Sequence, residues 1–92
     1  MNAKLKHIIK LMLCRHIIGH KHFPVRVLLV SQTKYLPKTF QKEFYNDYYS
    51  LVKKGYFWRL KKRTGKTDEW HISINPEYVD ELKLSVGELN GS

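Results

Sequence analysis

The chain has 92 residues, which is enough for one small domain over 1–92 and excludes two. A formal net charge of +9 and an aromatic content of 13% indicate a basic protein with a core built on rings, and they argue against wholesale disorder. The single cysteine, Cys14, excludes an internal disulfide and is typical of a reducing compartment.

The charges are distributed unevenly along the chain. Residues 1–66 hold sixteen of the seventeen Lys and Arg residues and two acids, a balance of +14, whereas residues 67–92 have a balance of −5. A strongly basic surface favours a polyanionic partner through electrostatic steering and counterion release. The alternative is that the lysines merely solvate the surface. We therefore expect nucleic acid as the partner class.

Apolar residues recur at helical spacing near the start of the chain. They are Leu5, Ile8, Ile9, Met12, Leu13 and Ile17. This pattern predicts a helix over residues 3–18 with Gly19 as its stop. Leu11, Cys14 and Ile18 widen the apolar arc, which indicates a second buried side against the C-terminal helix or a second subunit.

The stretch VRVLLVSQT at 25–33 is ambiguous. Val25, Leu28 and Leu29 suit a helix, whereas Val25, Val27 and Leu29 suit a strand, which β-branching favours. We choose a helix here, followed by a turn over 34–36.

A second helical pattern runs over 37–54, with Pro37 in its first turn and Gly55 as its stop. The face predicted to be buried comprises Phe40, Phe44, Tyr48, Leu51 and Val52. The opposite side comprises Lys38, Gln41, Lys42, Tyr45 and Tyr49. The helix is therefore amphipathic, with a basic and aromatic outer side.

A hairpin follows as YFWRLKKR, a basic loop TGKTD, and EWHISIN. The tip at 61–67 is too charged to bury. One alternation contains Tyr56, Trp58 and Leu60, and the other contains Trp70, Ile72 and Ile74. One register or the other must face the core. Asn75 then resembles an N-cap for a last helix that packs Tyr78, Val79, Leu82 and Val86.

Three segments, LPKTFQKEF, LVKKGYFWRLKKR and the wing TGKT, carry a family resemblance. Their order along the chain resembles the winged helix-turn-helix superfamily over residues 3–84, with 85–92 as a tail. The resemblance implies an α+β fold with a three-helix core, a two- or three-stranded antiparallel β wing and a C-terminal helix.

The resemblance also implies binding to duplex DNA, as a transcriptional regulator, with helix 37–54 in the major groove and wing 61–67 on the phosphate backbone. Gln41 would pair with adenine, and Tyr45 would contact a thymine methyl or a phosphate. The implied DNA-binding residues are Lys38, Gln41, Lys42, Tyr45, Tyr49, Lys61, Lys62, Arg63, Thr64 and Lys66.

Two other functions remain open for the same fold. One is a replication, partition or architectural factor, and the other is a protein-interaction module that docks through its aromatic face. A homodimer through the first and last helices is expected, since paired half-sites multiply specificity. Because Lys10 and Arg15 interrupt the apolar N-terminal run, we expect no membrane span and a cytoplasmic, nucleoid-associated protein.

Cys14, His16, His20 and His22 are ligand types that zinc accepts, but their spacing matches no standard zinc site. The chain also lacks a Gly-rich phosphate loop and the common hydrolase motifs. We therefore expect no metal, no cofactor, no small-molecule substrate and no enzymatic activity.

Overall fold

The computed structural model describes residues 2–87, apart from the side chain of Thr64. In chain order the elements are α1 (Ala3–Cys14), β1 (Phe23–Pro24), a π-helical turn (Arg26–Val30) that leads into α2 (Ser31–Thr33), α3 (Lys38–Lys53), β2 (Phe57–Thr64), β3 (Thr67–Ile74), a 3₁₀ turn (Pro76–Tyr78) and α4 (Val79–Ser85). This is the α+β class that the sequence predicts. Residues 88–92, most of the predicted tail, lie outside the described residues.

The core lies between the helices and one face of the sheet. All six apolar residues predicted for the buried face of α1 are buried, as are Leu82 and Val86 near the C-terminal end. Each fully buried aliphatic side chain of this size stabilises the fold by roughly 1.5–3 kcal/mol relative to an exposed one. The buried apolar side chains are Leu5, Ile8, Ile9, Met12, Leu13, Ile17, Leu28, Leu29, Phe44, Tyr48, Leu51, Phe57, Ile72, Ile74, Leu82 and Val86.

The first helix ends earlier than the sequence predicts. It stops at Cys14, and His16 adopts a left-handed φ of 55°, so the extension to Ile18 was wrong. The reason is tertiary, since the backbone at Ile17 and Gly19 hydrogen-bonds to the backbone of Ile74 at 3.0 and 2.9 Å. After α1, the segment around Ile18 therefore runs parallel to the end of β3.

The helix predicted over 25–33 is confirmed. A π-helical turn leads directly into α2, and the two-residue strand β1 precedes it. Thr33 is buried, and its hydroxyl donates to the carbonyl of Leu29 at 2.8 Å. The β-branched residues therefore do not prevent a helix here, because Leu28 and Leu29 contribute to the core.

The long helix α3 follows its prediction with one exception. Phe44, Tyr48 and Leu51 are buried, but Phe40 is 53% exposed, so its place on the buried face was wrong. Phe40 lies in the first turn of α3, and the buried face begins one turn later. Gly55 ends the helix with a φ of +87°, in the left-handed region that only glycine enters at no steric cost.

The three strands form an antiparallel sheet with the order β1-β3-β2. In the hairpin, Thr64 pairs with Thr67, so only Gly65 and Lys66 form the loop. The loop is therefore shorter than the predicted TGKTD at 64–68, because Thr64, Thr67 and Asp68 are strand residues. Gly65 has a φ of +61°, which suits the first position of a two-residue hairpin loop.

The prediction that Asn75 caps the start of the last helical segment is confirmed. The Asn75 side chain accepts from the amide of Glu77 at 3.0 Å and donates to the carbonyl of Gly55 at 2.8 Å. One side chain thus caps the 3₁₀ turn before α4 and holds the end of α3. This ties the C-terminal segment to the beginning of the hairpin.

Candidate nucleic-acid interface

The hairpin has two faces that its register defines. Because directly paired residues in antiparallel strands share a face, Phe57 and Ile74 place one face against the core. We call this the inner face. It continues outward through the pairs Arg59 with Ile72, Lys61 with Trp70, and Arg63 with Asp68. The outer face comprises Trp58, Leu60, Lys62, Glu69, His71 and Ser73.

Trp70 organises two cations on the inner face. Its ring centroid lies 4.6 Å from Cζ of Arg59 and 5.8 Å from Nζ of Lys61. Both distances are within the range of cation–π attraction. The indole remains 44% exposed. The stack restricts the positions of both cations, and the Arg59 guanidinium has no hydrogen bond or ion pair within residues 2–87.

Few acids neutralise the hairpin. Within the described part of the chain, one ion pair joins Lys61 to Asp68 at 3.5 Å and another joins Arg26 to Glu69 at 3.1 Å. Lys61 and Asp68 are both about half exposed, so their pair contributes at most about 1 kcal/mol and is readily broken. The cations of the hairpin are therefore available to bind a polyanion.

The inner face adjoins α3 through Phe57 and Tyr48, whose ring centroids lie 5.8 Å apart. Burial raises the pKa of the Tyr48 hydroxyl to about 12, and the Arg59 cation acts in the opposite direction. Tyr48 also contacts Tyr49, with ring centroids 5.2 Å apart. Tyr49 is about half exposed. A continuous surface thus runs from α3 to Trp70.

One stripe of α3 extends this surface. Lys38, Lys42, Tyr45 and Tyr49 follow one another at intervals of three or four residues, which places them on one side of a helix. Both lysines are exposed. At 1.5 Å per residue α3 is about 24 Å long, about twice the width of a major groove.

Two predicted base-reading residues already have partners inside the molecule. The amide nitrogen of Gln41 donates to the carbonyl of Leu36 at 2.9 Å. The hydroxyl of Tyr45 lies 3.3 Å from that of Thr33, and its half-buried ring packs edge-on against Phe44. These contacts join α3 to the segment before it. Reading of adenine by Gln41 would require its present hydrogen bond to break.

The remaining predicted residues are divided between positions. Arg63 is exposed on the inner face, Lys62 is exposed on the outer face, and Lys66 is exposed in the loop. The side chain of Thr64 lies outside the described part of the structure. Lys61, Lys62, Arg63 and Lys66 therefore do not all lie on one face, because the strand pleat places Lys62 on the opposite side from Lys61 and Arg63.

The sequence-based prediction missed Arg59 and Trp70. The signal was present, because Arg59, Lys61 and Arg63 alternate with period two, as residues on one face of a strand do. The register that pairs Lys61 with Trp70 follows from a two-residue loop, and the sequence alone does not determine that loop length. Tyr35 was missed as well, because it lies in the turn before α3 and not in a periodic segment. It is 85% exposed, and its ring centroid lies 5.0 Å from Nζ of Lys34.

The cysteine and histidines considered as zinc ligands do not converge. Cys14 is exposed, and Nδ1 of His22 lies 2.8 Å from Nδ1 of His71 instead. No group of three or more His, Cys, Asp or Glu side chains in residues 2–87 is arranged to hold a metal ion. Over the same residues, every helix is too short or too polar to cross a membrane.

Comparison with known proteins gives no match, whether to a protein-family model, a curated protein or a solved structure.

Proposed function

We propose that this chain is a winged helix-turn-helix protein that binds duplex DNA and acts as a transcriptional regulator. Helix α3 would lie in the major groove, and the inner face of the hairpin would contact the adjacent phosphates. This function would place the protein with the nucleoid in the cytoplasm, and two copies would bind paired half-sites. No metal, cofactor or catalytic step is part of the proposal.

The observation that carries the proposal is the set of cations on the inner face. Arg59, Lys61 and Arg63 share that face, and Trp70 holds the first two in place. Cations whose positions are restricted before binding lose less conformational freedom when they contact phosphate. Arginine additionally matches phosphate with a planar fork of donors.

The order of the elements supports the same proposal. A helix, a short strand, two helical segments, a hairpin and a final helix follow one another, and the second hairpin strand lies between the other two strands. This is compatible with the arrangement that the family resemblance implies. The exposed stripe of α3 beside the hairpin supplies a helix that can enter a groove.

The experiment compares two triple variants that remove the same charge. R59Q/K61Q/R63Q changes the inner face, and K6Q/K10Q/R15Q changes exposed positions in and just after α1. Binding to a labelled 20-base-pair duplex is measured by fluorescence anisotropy at several salt concentrations. Each lost phosphate contact reduces the slope of log K against log salt by about one. We expect a reduction of about three for the first variant and little change for the second.

Equal loss in both triple variants would contradict the proposal, since binding would then depend on net charge alone. Unchanged binding in R59Q/K61Q/R63Q would contradict it as well. Circular dichroism checks that each variant folds. A third variant, R63Q alone, removes a cation that has no cation–π pair with Trp70 and no ion pair within residues 2–87, and it should reduce the slope by about one.

The state of Gln41 favours a second candidate, an architectural, replication or partition factor. Its amide donor is already used within the molecule, so α3 has one fewer side chain free to read a base. Selection from a random duplex pool separates the two candidates. Enrichment of one motif supports a regulator, and salt-sensitive binding without enrichment supports the architectural role.

A further inference from the structure

The outer face of the hairpin carries exposed apolar side chains that the proposed duplex site does not use. Trp58 and Leu60 project from β2 and are 44% and 48% exposed. Beside them lies a cavity of about 400 Å³ lined by Gly19, His20, His22, Trp58, Arg59, Leu60 and Ser73. This volume lies within the range of small-ligand sites, and it would accommodate a planar heterocycle.

The loop before β1 forms one wall of this cavity. The ring of His20 meets that of Trp58 edge-on, with centroids 6.3 Å apart and an angle of 68° between the planes. On the same side, burial, the neighbouring His71 and the Lys62 cation lower the pKa of His22, so this imidazole is neutral at pH 7. The cavity therefore combines the aromatic surface of Trp58 with the neutral imidazole of His22.

A cation lies at the rim of the cavity. Lys62 is exposed and lies next to Leu60 along the outer face of β2, and its cation is one of the causes that lower the pKa of His22. The acid opposite it on β3, Glu69, is engaged by Arg26 at 3.1 Å. Lys62 thus has no ion pair within residues 2–87, and the rim is complementary to an anion.

We propose that the outer face binds a nucleotide of single-stranded nucleic acid, with its base stacked on Trp58 and its phosphate beside Lys62. An exposed aromatic ring next to an unpaired cation is the combination by which proteins hold single strands without reading their sequence. A paired base in a duplex is stacked on its neighbours and does not offer its face. The site is therefore distinct from the duplex site on the inner face, and it goes beyond the proposed function.

The test uses a labelled ten-nucleotide oligo(dT) and fluorescence anisotropy at low salt. We expect W58A to weaken binding about fivefold to 150-fold, since one base stacked on an aromatic side chain contributes within that range. W58F should retain most of the binding because it keeps a ring, and W58L should lose it although it stays apolar. L84A is the control, with an exposed apolar side chain on α4, and it should leave oligo(dT) binding unchanged.

Several results would overturn this proposal. The first is no binding of oligo(dT) by the parent protein, and the second is equal binding by W58A. The third is a loss of binding in K61Q/R63Q with no loss in K62Q, which would place the single strand on the inner face. If W58A instead changes the sedimentation coefficient from dimer to monomer, the outer face is an interface between copies. Binding of the same variants to a duplex is measured in parallel. Loss of oligo(dT) binding with duplex binding retained, or the reverse, separates failure of this inference from failure of the proposed function.

Discussion

The two faces of one hairpin carry a tryptophan each, and the two indoles are equally exposed. Trp70 on the inner face lies beneath Arg59 and Lys61, whereas Trp58 on the outer face meets the edge of His20. Exposure alone therefore does not distinguish them. Their neighbours do, and the neighbours follow from the register that the two-residue loop imposes.

Strand alternation separates two sets of side chains within the eight residues of β2. In β2, Arg59, Lys61 and Arg63 project to one side, and Trp58 and Leu60 project to the other. A run of cations and rings that reads as one basic patch in sequence becomes two surfaces of different chemistry. The inner surface holds cations in place, and the outer surface offers a ring beside a cavity.

The largest expected effect tests which face belongs to the core. Ile72→Ala on the inner face removes a side chain with no exposed surface, and we expect a loss of about 2–5 kcal/mol in the free energy of unfolding. Leu60→Ala on the outer face should cost well under that amount because Leu60 is half exposed. Urea denaturation measures both.

A similar cost for Ile72→Ala and Leu60→Ala would mean that the outer face is covered in solution. A concentration series of the parent protein is the control for that case, since a face buried between copies gives an unfolding midpoint that rises with protein concentration.

The next effect concerns the two tryptophans in duplex binding. Trp70→Ala removes the ring that holds Arg59 and Lys61, and cation–π attraction is worth about 0.5–2 kcal/mol. We expect duplex affinity to fall by about twofold to 30-fold. Trp58→Ala should leave it unchanged. The reverse order of the two variants would move the duplex site to the outer face.

Gly65→Ala tests the loop that sets the register. The added methyl group meets no atom within 4 Å, so the cost comes only from the φ of +61° and should be about 1–2 kcal/mol. Gly65→Asn should cost less because asparagine tolerates this region better. Thermal unfolding ranks the three proteins, and a cost of zero for alanine would indicate a different loop conformation.

The smallest effect is the dependence of stability on pH through His22 and His71, whose Nδ1 atoms lie 2.8 Å apart. Because the pKa of His22 is lowered in the folded protein, the unfolded chain takes up its proton first as the pH falls. The contribution is therefore present above the ordinary value of 6.5 and is lost below it.

Unfolding midpoints at pH 7.5 and 5.5 measure this loss, and His22→Gln should reduce it. His7→Gln, an exposed position on α1, is the control and should leave the difference unchanged. Equal pH dependence in the parent and in His22→Gln would contradict a role for the pair.

The sequence predicted the elements better than their ends and faces. Helical spacing identified the buried side of α1 and most of that of α3, because burial follows from periodicity. The end of α1 at Cys14 could not be predicted, since it depends on hydrogen bonds to Ile74, which is distant in sequence. The exposure of Phe40 likewise depends on where tertiary packing begins.

The candidate site was predicted only in part. Local charge identified Lys61, Arg63 and the lysines of α3, because exposed cations are visible in any sequence. Arg59 and Trp70 required the register of the hairpin, which alternation alone left open between two choices. The hydrogen bond of Gln41 required the path of the turn before α3.

The most direct test of the duplex site uses the two indole N–H signals in a two-dimensional ¹⁵N NMR spectrum, assigned with W58F and W70F. A 12-base-pair duplex is added at low salt, and the shifts of the two signals are followed. The inner-face site predicts that the Trp70 signal moves and the Trp58 signal stays in place. Movement of the Trp58 signal alone, or of neither, would contradict it.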